Sequence, residues 1–475
     1  MPFPSQIGGL SRSIVPITLS AAFAMSGCQR YERAPLDLAA HRQEILGRTL
    51  DASSLSGFAD EFKRSPDHSM FSLTDGVSLA EAQAVALVWN AHLRTQRARA
   101  RVSSASAENA GLWEDPTLGV DLTRIIESVE HPWKIAATIG LTIPISGRLE
   151  VEKRLAGDQN AVELAQIVQA EWQVTTDLNR AWARWESLTT QARVTREFLG
   201  PAMQILSVVD AMETAGELSR TEARLFRIEN TTRRGELLRL DAAITQVELE
   251  IRGLMGIAPT APISILPSAI NIPPFTDDLA ALSLDHHPAM LVAAARYQAS
   301  ERSLELEIRK QIPDFSLSPG YGREDGDDEF LLGFSIPLPI WNANRRAIAE
   351  ARASRDLSRE EVHEAQESLL RSIASACAEL DAARLHREWI ERELIPLVDA
   401  QDADARKLAQ LGEVNTIILL ESLVRRLEAK VQFIESTREE ALASIRVLEL
   451  LGPALQPIAQ NQAPAASAPL GEVHP

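Results

Sequence analysis

Asp285-His286-His287 is the point in this 475-residue sequence where the residue types most suggest chemistry, because a carboxylate and two imidazoles could hold a divalent metal. The spacing argues against it. Adjacent histidines do not share a helical face, and His287 stands directly before Pro288, where a capping residue is wanted and proline suits the first helical position. The nine histidines and seven methionines are unclustered, so there is no metal-binding tract. Nucleophile elbows, phosphate-binding loops and dinucleotide fingerprints are also missing. The chain therefore does not read as an enzyme, and neither catalytic residues nor a cofactor nor a bound metal is expected. A net charge of −18 disfavours nucleic acid, which calls for a basic face.

The two cysteines differ in setting. Cys377 lies in the Ala-rich run RSIASACAEL and reads as a small buried helical residue. Cys28 closes an export signal that starts with Arg12 and continues as an apolar run over 14–25, too short to span a bilayer as a helix. Met25-Ser26-Gly27-Cys28 resembles the lipobox of bacterial lipoproteins, in which the cysteine is acylated and becomes the first residue. Residues 1–27 are then a lipoprotein signal peptide, Cys28 is the lipidation site, and no disulfide framework remains. An ordinary signal peptide with an incidental cysteine is the alternative. Gln29, where aspartate often marks inner-membrane retention, favours the outer membrane. No later segment has the roughly 18 uninterrupted apolar residues of a membrane helix, so a crossing would have to be made by strands.

The elements that position these residues occur twice. GLTIPI at 140–145 matches GFSIPL at 333–338, an offset of 193. Pro116 matches Pro313, Pro201 matches Pro396, Gly216 matches Gly412 and Gly256 matches Gly452, at offsets of 195 to 197. Each copy reads helix, two strands, very long helix, turn, helix. Ser78 and Glu81 form one capping box and Ser219 and Glu222 another, and Asn90 caps a second short helix, as His287 does in the other copy. Strands are expected at about 117–123 and 135–145, and at about 315–322 and 330–338. There apolar residues alternate with small or polar ones at period two, a pattern that fits a half-buried strand or a membrane barrel strand of ~9–11 residues. Long helices are expected from about Arg148 to Ala215, kinked at Pro201, and from about Arg345 to Leu411. At 1.5 Å per residue each is ~100 Å long, and the two shorter helices of each copy have the combined length to lie alongside. The domain reading is a signal peptide (1–27), a lead segment (28–77), a first repeat (78–256), a Pro-rich linker (257–278), a second repeat (279–452) and a disordered tail (453–475).

Four strands per chain cannot close a barrel, and an open sheet edge cannot face lipid. Three copies would supply 12 strands, within the range of membrane barrels. The expected fold is mainly α with membrane β: a trimeric α-helical barrel topped by a 12-stranded β-barrel, with strand loops outside the cell at 124–134 and 323–329.

Residues 72–452 resemble the outer membrane efflux protein (TolC) family. Gly333, Ser335, Ile336, Pro337, Leu338, Pro339, Trp341, Asn342, Asn344 and Arg345, followed by an Ala-rich helix, are similar to its CzcC-like heavy-metal efflux branch, and PISGRLE resembles the corresponding turn of the first copy in a shorter form. The resemblance implies a homotrimer in the outer membrane and no cofactor. It also implies a periplasmic adaptor (membrane fusion) protein and an inner-membrane pump of the resistance-nodulation-division (RND) type. By position, Gly216, Glu217, Leu218 and Ser219, and Gly412, Glu413, Val414 and Asn415, match the helical tips that dock the adaptor. Glycine for the helix end and Ser or Asn for the next cap explain the same residues as plain turn chemistry. Glu213, Asp402 and Asp404, with Glu217 and Glu413, fall near the same end and are candidate entrance carboxylates that would draw cations. Efflux of divalent heavy-metal cations is the leading expectation. Drug efflux or type I protein secretion through the same fold remains open, as does a lipid-anchored coiled-coil scaffold without a pore.

Overall fold

The computed structural model describes residues 31–48, 50, 76–124, 126, 133–268, 284–324, 327–411 and 416–453. Cys28, the tip residues Gly412, Glu413, Val414 and Asn415, and most of the lead segment and tail lie outside them. The chain divides into two units, Met1–Gly47 and Arg48–Pro475. In the first, Asp37 caps the exposed helix α1 (Leu38–Leu46) by accepting from the N–H groups of Ala39 and Ala40.

The second unit holds both repeats. The first copy runs α2 (Leu79–Trp89), α3 (Ala91–Glu108), β1 (Thr117–Arg124), β2 (Trp133–Ile143), α4 (Arg148–Ala215) and α5 (Arg220–Met255). The second runs α6 (Pro288–Arg309), β3 (Phe315–Glu324), β4 (Asp327–Ser335), α7 (Arg345–Trp389), a π-helical turn (Ile390–Leu394), α8 (Ile395–Gln410) and α9 (Thr416–Leu451). Both capping boxes form, at Ser78 with Glu81 and at Ser219 with Glu222. Asn90 and His287 cap α3 and α6, and each also reaches the carboxyl end of the last helix of its own copy: Asn90 Nδ2 donates to the Leu254 carbonyl at 2.8 Å, and His287 Nε2 meets the Glu449 carbonyl at 3.3 Å.

The 68-residue α4 is continuous through Pro201. Its counterpart is not a single helix. The π turn interrupts it just before Pro396, with the Ile395 N–H bonded to the Ile390 carbonyl. Proline has no N–H to donate and its ring crowds the carbonyl four residues back; the wider turn gives that carbonyl room. Buried apolar residues gather where α2, α4 and α5 meet around Trp182, where α7 meets α9 around Leu369, Ile373 and Leu451, and near the helical turn around Val209, Ala223 and Phe226. Among the described residues no helix is long and apolar enough to cross a membrane.

Candidate functional site

The four strands form one antiparallel sheet in the order β1-β2-β3-β4, so among the described residues β1 and β4 are open edges. Register carries the period-two pattern across every strand. Leu118 pairs with Ile139, Val120 with Ala137 and Leu122 with Ile135. Ala137 pairs with Tyr321 and Leu141 with Leu317; Leu317 pairs with Phe334, Pro319 with Leu332 and Tyr321 with Phe330. Residues opposite one another share a face, so one face is apolar from edge to edge. It is also uncovered: Leu118 is 73% exposed, Phe330 76% and Phe334 74%. The other face carries Thr117, Gly119, Asp121, Thr138, Gly140, Ser316, Ser318, Gly320 and Gly333. Its glycines permit close packing, since a Cβ at Gly320 would sit 2.7 Å from the Ala137 carbonyl oxygen.

Arg148, the first residue of α4, joins the sheet to the helices. Its guanidinium binds Asp314 just before β3 at 3.0 Å, Glu152 at 3.0 Å and Glu114 just before β1 at 2.9 Å. The sequence marks Arg148 only as the residue after a Ser-Gly turn; its partners become visible in three dimensions. Its hydrogen bonds to Asp314 first and Glu152 second raise its already high pKa further, against the opposing effect of burial, so it stays charged.

At its far end α4 stops at Gly216, left-handed with φ of 78°. The Glu217 N–H donates to the Met212 carbonyl at 2.9 Å, a glycine-closed helix end. Gly216, Glu217 and Ser219 are exposed, while Leu218 packs on the Val209, Ala223 and Phe226 cluster. Hydrogen bonds from the Ser219 hydroxyl and N–H hold the Glu222 carboxyl below its ordinary pKa.

The candidate entrance carboxylates are placed differently from one another. Glu213 is tied to Arg227 at 2.6 Å, together with Asp210. Asp402 is only 4% exposed and is held by Arg406 at 2.9 Å and by Arg426 at 3.2 Å. Asp404 and Glu217 are exposed. The arginines of α5 and α9 that clasp these carboxylates carried no distinguishing sequence signal, because Glu and Arg interleave all along the helices. The described residues hold no group of three or more His, Cys, Asp or Glu suited to a metal ion, and His287 is taken up by its cap.

Residues 279–452 match the family described as outer membrane efflux protein. Two resistance proteins of Cupriavidus metallidurans are similar in sequence. The cobalt-zinc-cadmium resistance protein CzcC is 23% identical over 248 residues, 50% of this chain and 58% of that protein. The nickel and cobalt resistance protein CnrC is 23% identical over 298 residues, 59% of this chain and 70% of that protein. The alignment thus spans little more than half of the first relative. Among solved structures, the outer membrane protein VceC of Vibrio cholerae superposes with a TM-score of 0.67 at 16% identity, covering 79% of this chain and 96% of that one. CusC, described as forming a transmembrane channel, gives 0.66 at 14% identity, covering 82% and 97%. At these identities the structures speak for the fold alone. The chain has the fold of these two outer membrane proteins, its residues 279–452 match the outer membrane efflux protein family, and two heavy-metal resistance proteins are similar to it in sequence.

Proposed function

We propose that this chain is the outer-membrane channel of a tripartite efflux system, a passive conduit for divalent heavy-metal cations delivered by an inner-membrane RND pump through a periplasmic adaptor. The observation that carries this reading is the sheet: its apolar face is uncovered across all four strands, and both edges are open. In water such a sheet would aggregate. In lipid the apolar face is solvated, and the edges are satisfied only by joining other copies into a closed barrel.

The helices point to the same copies. In the first repeat α4 packs against α2, α3 and α5, and also against α6 and α9 of the second repeat. Its counterpart α7 packs against α6 and α9. Repeat symmetry supplies the other neighbours of α7 as the α3 and α5 of another copy, on the same side on which β4 would meet another copy's β1. Three copies give the 12-stranded barrel above a ring of long helices. Cys28 is proposed as the acylated anchor. The exposed Gly216, Glu217 and Ser219 at the end of α4 and, by their equivalent position in the repeated sequence, Gly412, Glu413, Val414 and Asn415 are proposed as adaptor contacts, with the exposed Asp404 and Glu217 as carboxylates that draw cations at the entrance.

Purified chain added to a planar bilayer should give stepwise conductance. Its absence would favour a scaffold without a pore. For the substrate, a deletion strain should become sensitive to zinc, cobalt, cadmium or nickel. Sensitivity to dyes and antibiotics alone would move the reading to drug efflux, and loss of a secreted protein alone would move it to secretion.

A further inference from the structure

The turn between β4 and α7 has a feature that strand pairing does not explain. Pairing of β4 ends at Ser335, yet the apolar alternation continues: Ile336, Leu338 and Ile340 are exposed, as are Phe330, Leu332 and Phe334 before them. Pro337 and Pro339 offer no N–H groups to a ladder. The chain then folds back, with the Ile340 N–H donating to the Leu338 carbonyl at 2.8 Å and the Arg345 N–H to the Asn342 carbonyl at 2.9 Å. Ala343 and Asn344, with φ of 43° and 56°, are the two non-glycine residues of positive φ in the described chain. That strained pair is held by Asn344, whose Nδ2 donates to both the carbonyl and the carboxylate of Glu307 at 2.8 Å.

This arrangement holds out a large ring. Trp341 is 90% exposed, with Arg345 and Arg346 exposed beside it. Two other exposed tryptophans bracket the apolar face. Trp113 precedes β1 at the same helix-side end of the sheet, and Trp133 begins β2 at the loop end, with the Arg124 guanidinium 5.7 Å from its ring centre. An indole combines an apolar body with one N–H, so it is best solvated between hydrocarbon and water, and guanidinium groups pair with lipid phosphates.

We propose that the turn at 336–346 is a phospholipid-headgroup anchor at the helix-side rim of the sheet. Trp341 lies in the interface, Leu338 and Ile340 reach into the acyl margin, and Arg345 and Arg346 face lipid phosphate. The inference rests on the membrane reading above. It commits to lipid as the occupant because the turn continues the apolar face and adds cationic groups at its margin.

The test uses the full chain in phosphatidylcholine vesicles, with bromine placed on the acyl chains either near the headgroups or deep in the bilayer. Conductance reports insertion separately. Wild type minus Trp341→Phe isolates the emission of one indole, and Trp341→Tyr gives the same difference if the Phe variant fails to assemble. The expected result is a blue-shifted difference emission, quenched more by shallow than by deep bromine and resistant to aqueous acrylamide. A conducting channel whose Trp341 emission is quenched by acrylamide, or by neither quencher, overturns the anchor: the ring then faces water or is covered by protein. Absence of both conductance and bromine quenching of any tryptophan would reject the membrane reading itself.

Discussion

Gly256 and Gly452 end the last helix of each copy in the left-handed region, with φ of 74° and 83°. At Gly256 conformation is only part of the demand. A Cβ there would stand 2.2 Å from the Trp89 carbonyl oxygen, where α5 meets the α2–α3 junction. At Gly216, also left-handed, a Cβ would meet nothing within 4 Å. Gly216→Ala should therefore cost about 1–2 kcal/mol, the left-handed penalty alone, and Gly256→Ala clearly more, because backbone must move. Denaturant unfolding in detergent compares them, and equal losses would mean that the close approach does not matter. His287 makes a second residue-scale case. Its Nδ1 accepts from the Ala289 N–H at 3.1 Å, which requires an unprotonated nitrogen. Burial holds the imidazole below its ordinary pKa of 6.5. The neutral form is favoured in the fold, so the contribution to stability is complete above pH 6.5 and declines as pH falls below it, where the unfolded chain takes up the proton first. His287→Asn keeps a capping side chain, as Asn90 provides in the other copy, and should flatten this part of the pH dependence. Unfolding midpoints that fall equally in both proteins below that pH would reject the role.

Strands and helices were legible to different degrees. The alternation at Leu118, Val120 and Leu122 falls inside β1, and that at Phe330, Leu332 and Phe334 inside β4, because a half-apolar strand repeats every two residues whatever its partners are. The long α4 was legible in the same way, from an unbroken run of helix-favouring residues ending in glycine. The π turn at Ile390–Leu394 was not, because Pro201 and Pro396 look alike in sequence while only the second lies beside a widened turn. Nor were the partners of Arg148, since Asp314 lies 166 residues away along the chain. Of the candidate site, the sequence placed the turn at Gly216 but not the Arg227 and Arg426 clasps, which depend on which helical faces meet. The two sheet faces predict opposite tolerances. Leu332→Lys puts a charge amid the apolar face and should cost about 2–4 kcal/mol of membrane stability if it lies at mid-bilayer. Asp121→Lys, on the small polar face, should leave assembly intact and shift conductance toward anions. Heat-induced dissociation and reversal potentials read the two effects; equal damage from both would contradict a two-faced barrel wall.

For the molecule as a whole, the turn at Gly216 lies ~100 Å of helix from the sheet, too far to share its environment. Gly216→Asp combined with Gly412→Asp adds charge at both tips without filling packed space at Gly216, and aspartate tolerates the left-handed backbone better than most residues. Adaptor pull-down and metal resistance should both fall at unchanged channel abundance; normal resistance would remove the tips from the adaptor interface. The last prediction concerns copy number. Among the described residues, β1 and β4 each have one edge without a partner strand, and α7 packs mainly against α6 and α9 where α4 has neighbours from both repeats. One contact would answer both, because in the proposed assembly the copy whose β1 pairs with β4 would also bring its α3 and α5 to the other flank of α7. Head-to-tail contacts of this kind either close into a ring or grow without end, and a lipid-embedded sheet with no free edge requires closure. Closed sets of two, three or four copies would give 8, 12 or 16 strands, all within the range of membrane barrels, and the resemblance to the TolC family selects three. Mass photometry in nanodiscs should give a single species of three chains, and cysteines placed on α7 and α5 should cross-link between chains but not within one. A stable, conducting monomer would refute the closed barrel; a larger closed ring would keep the head-to-tail contact and revise only the number.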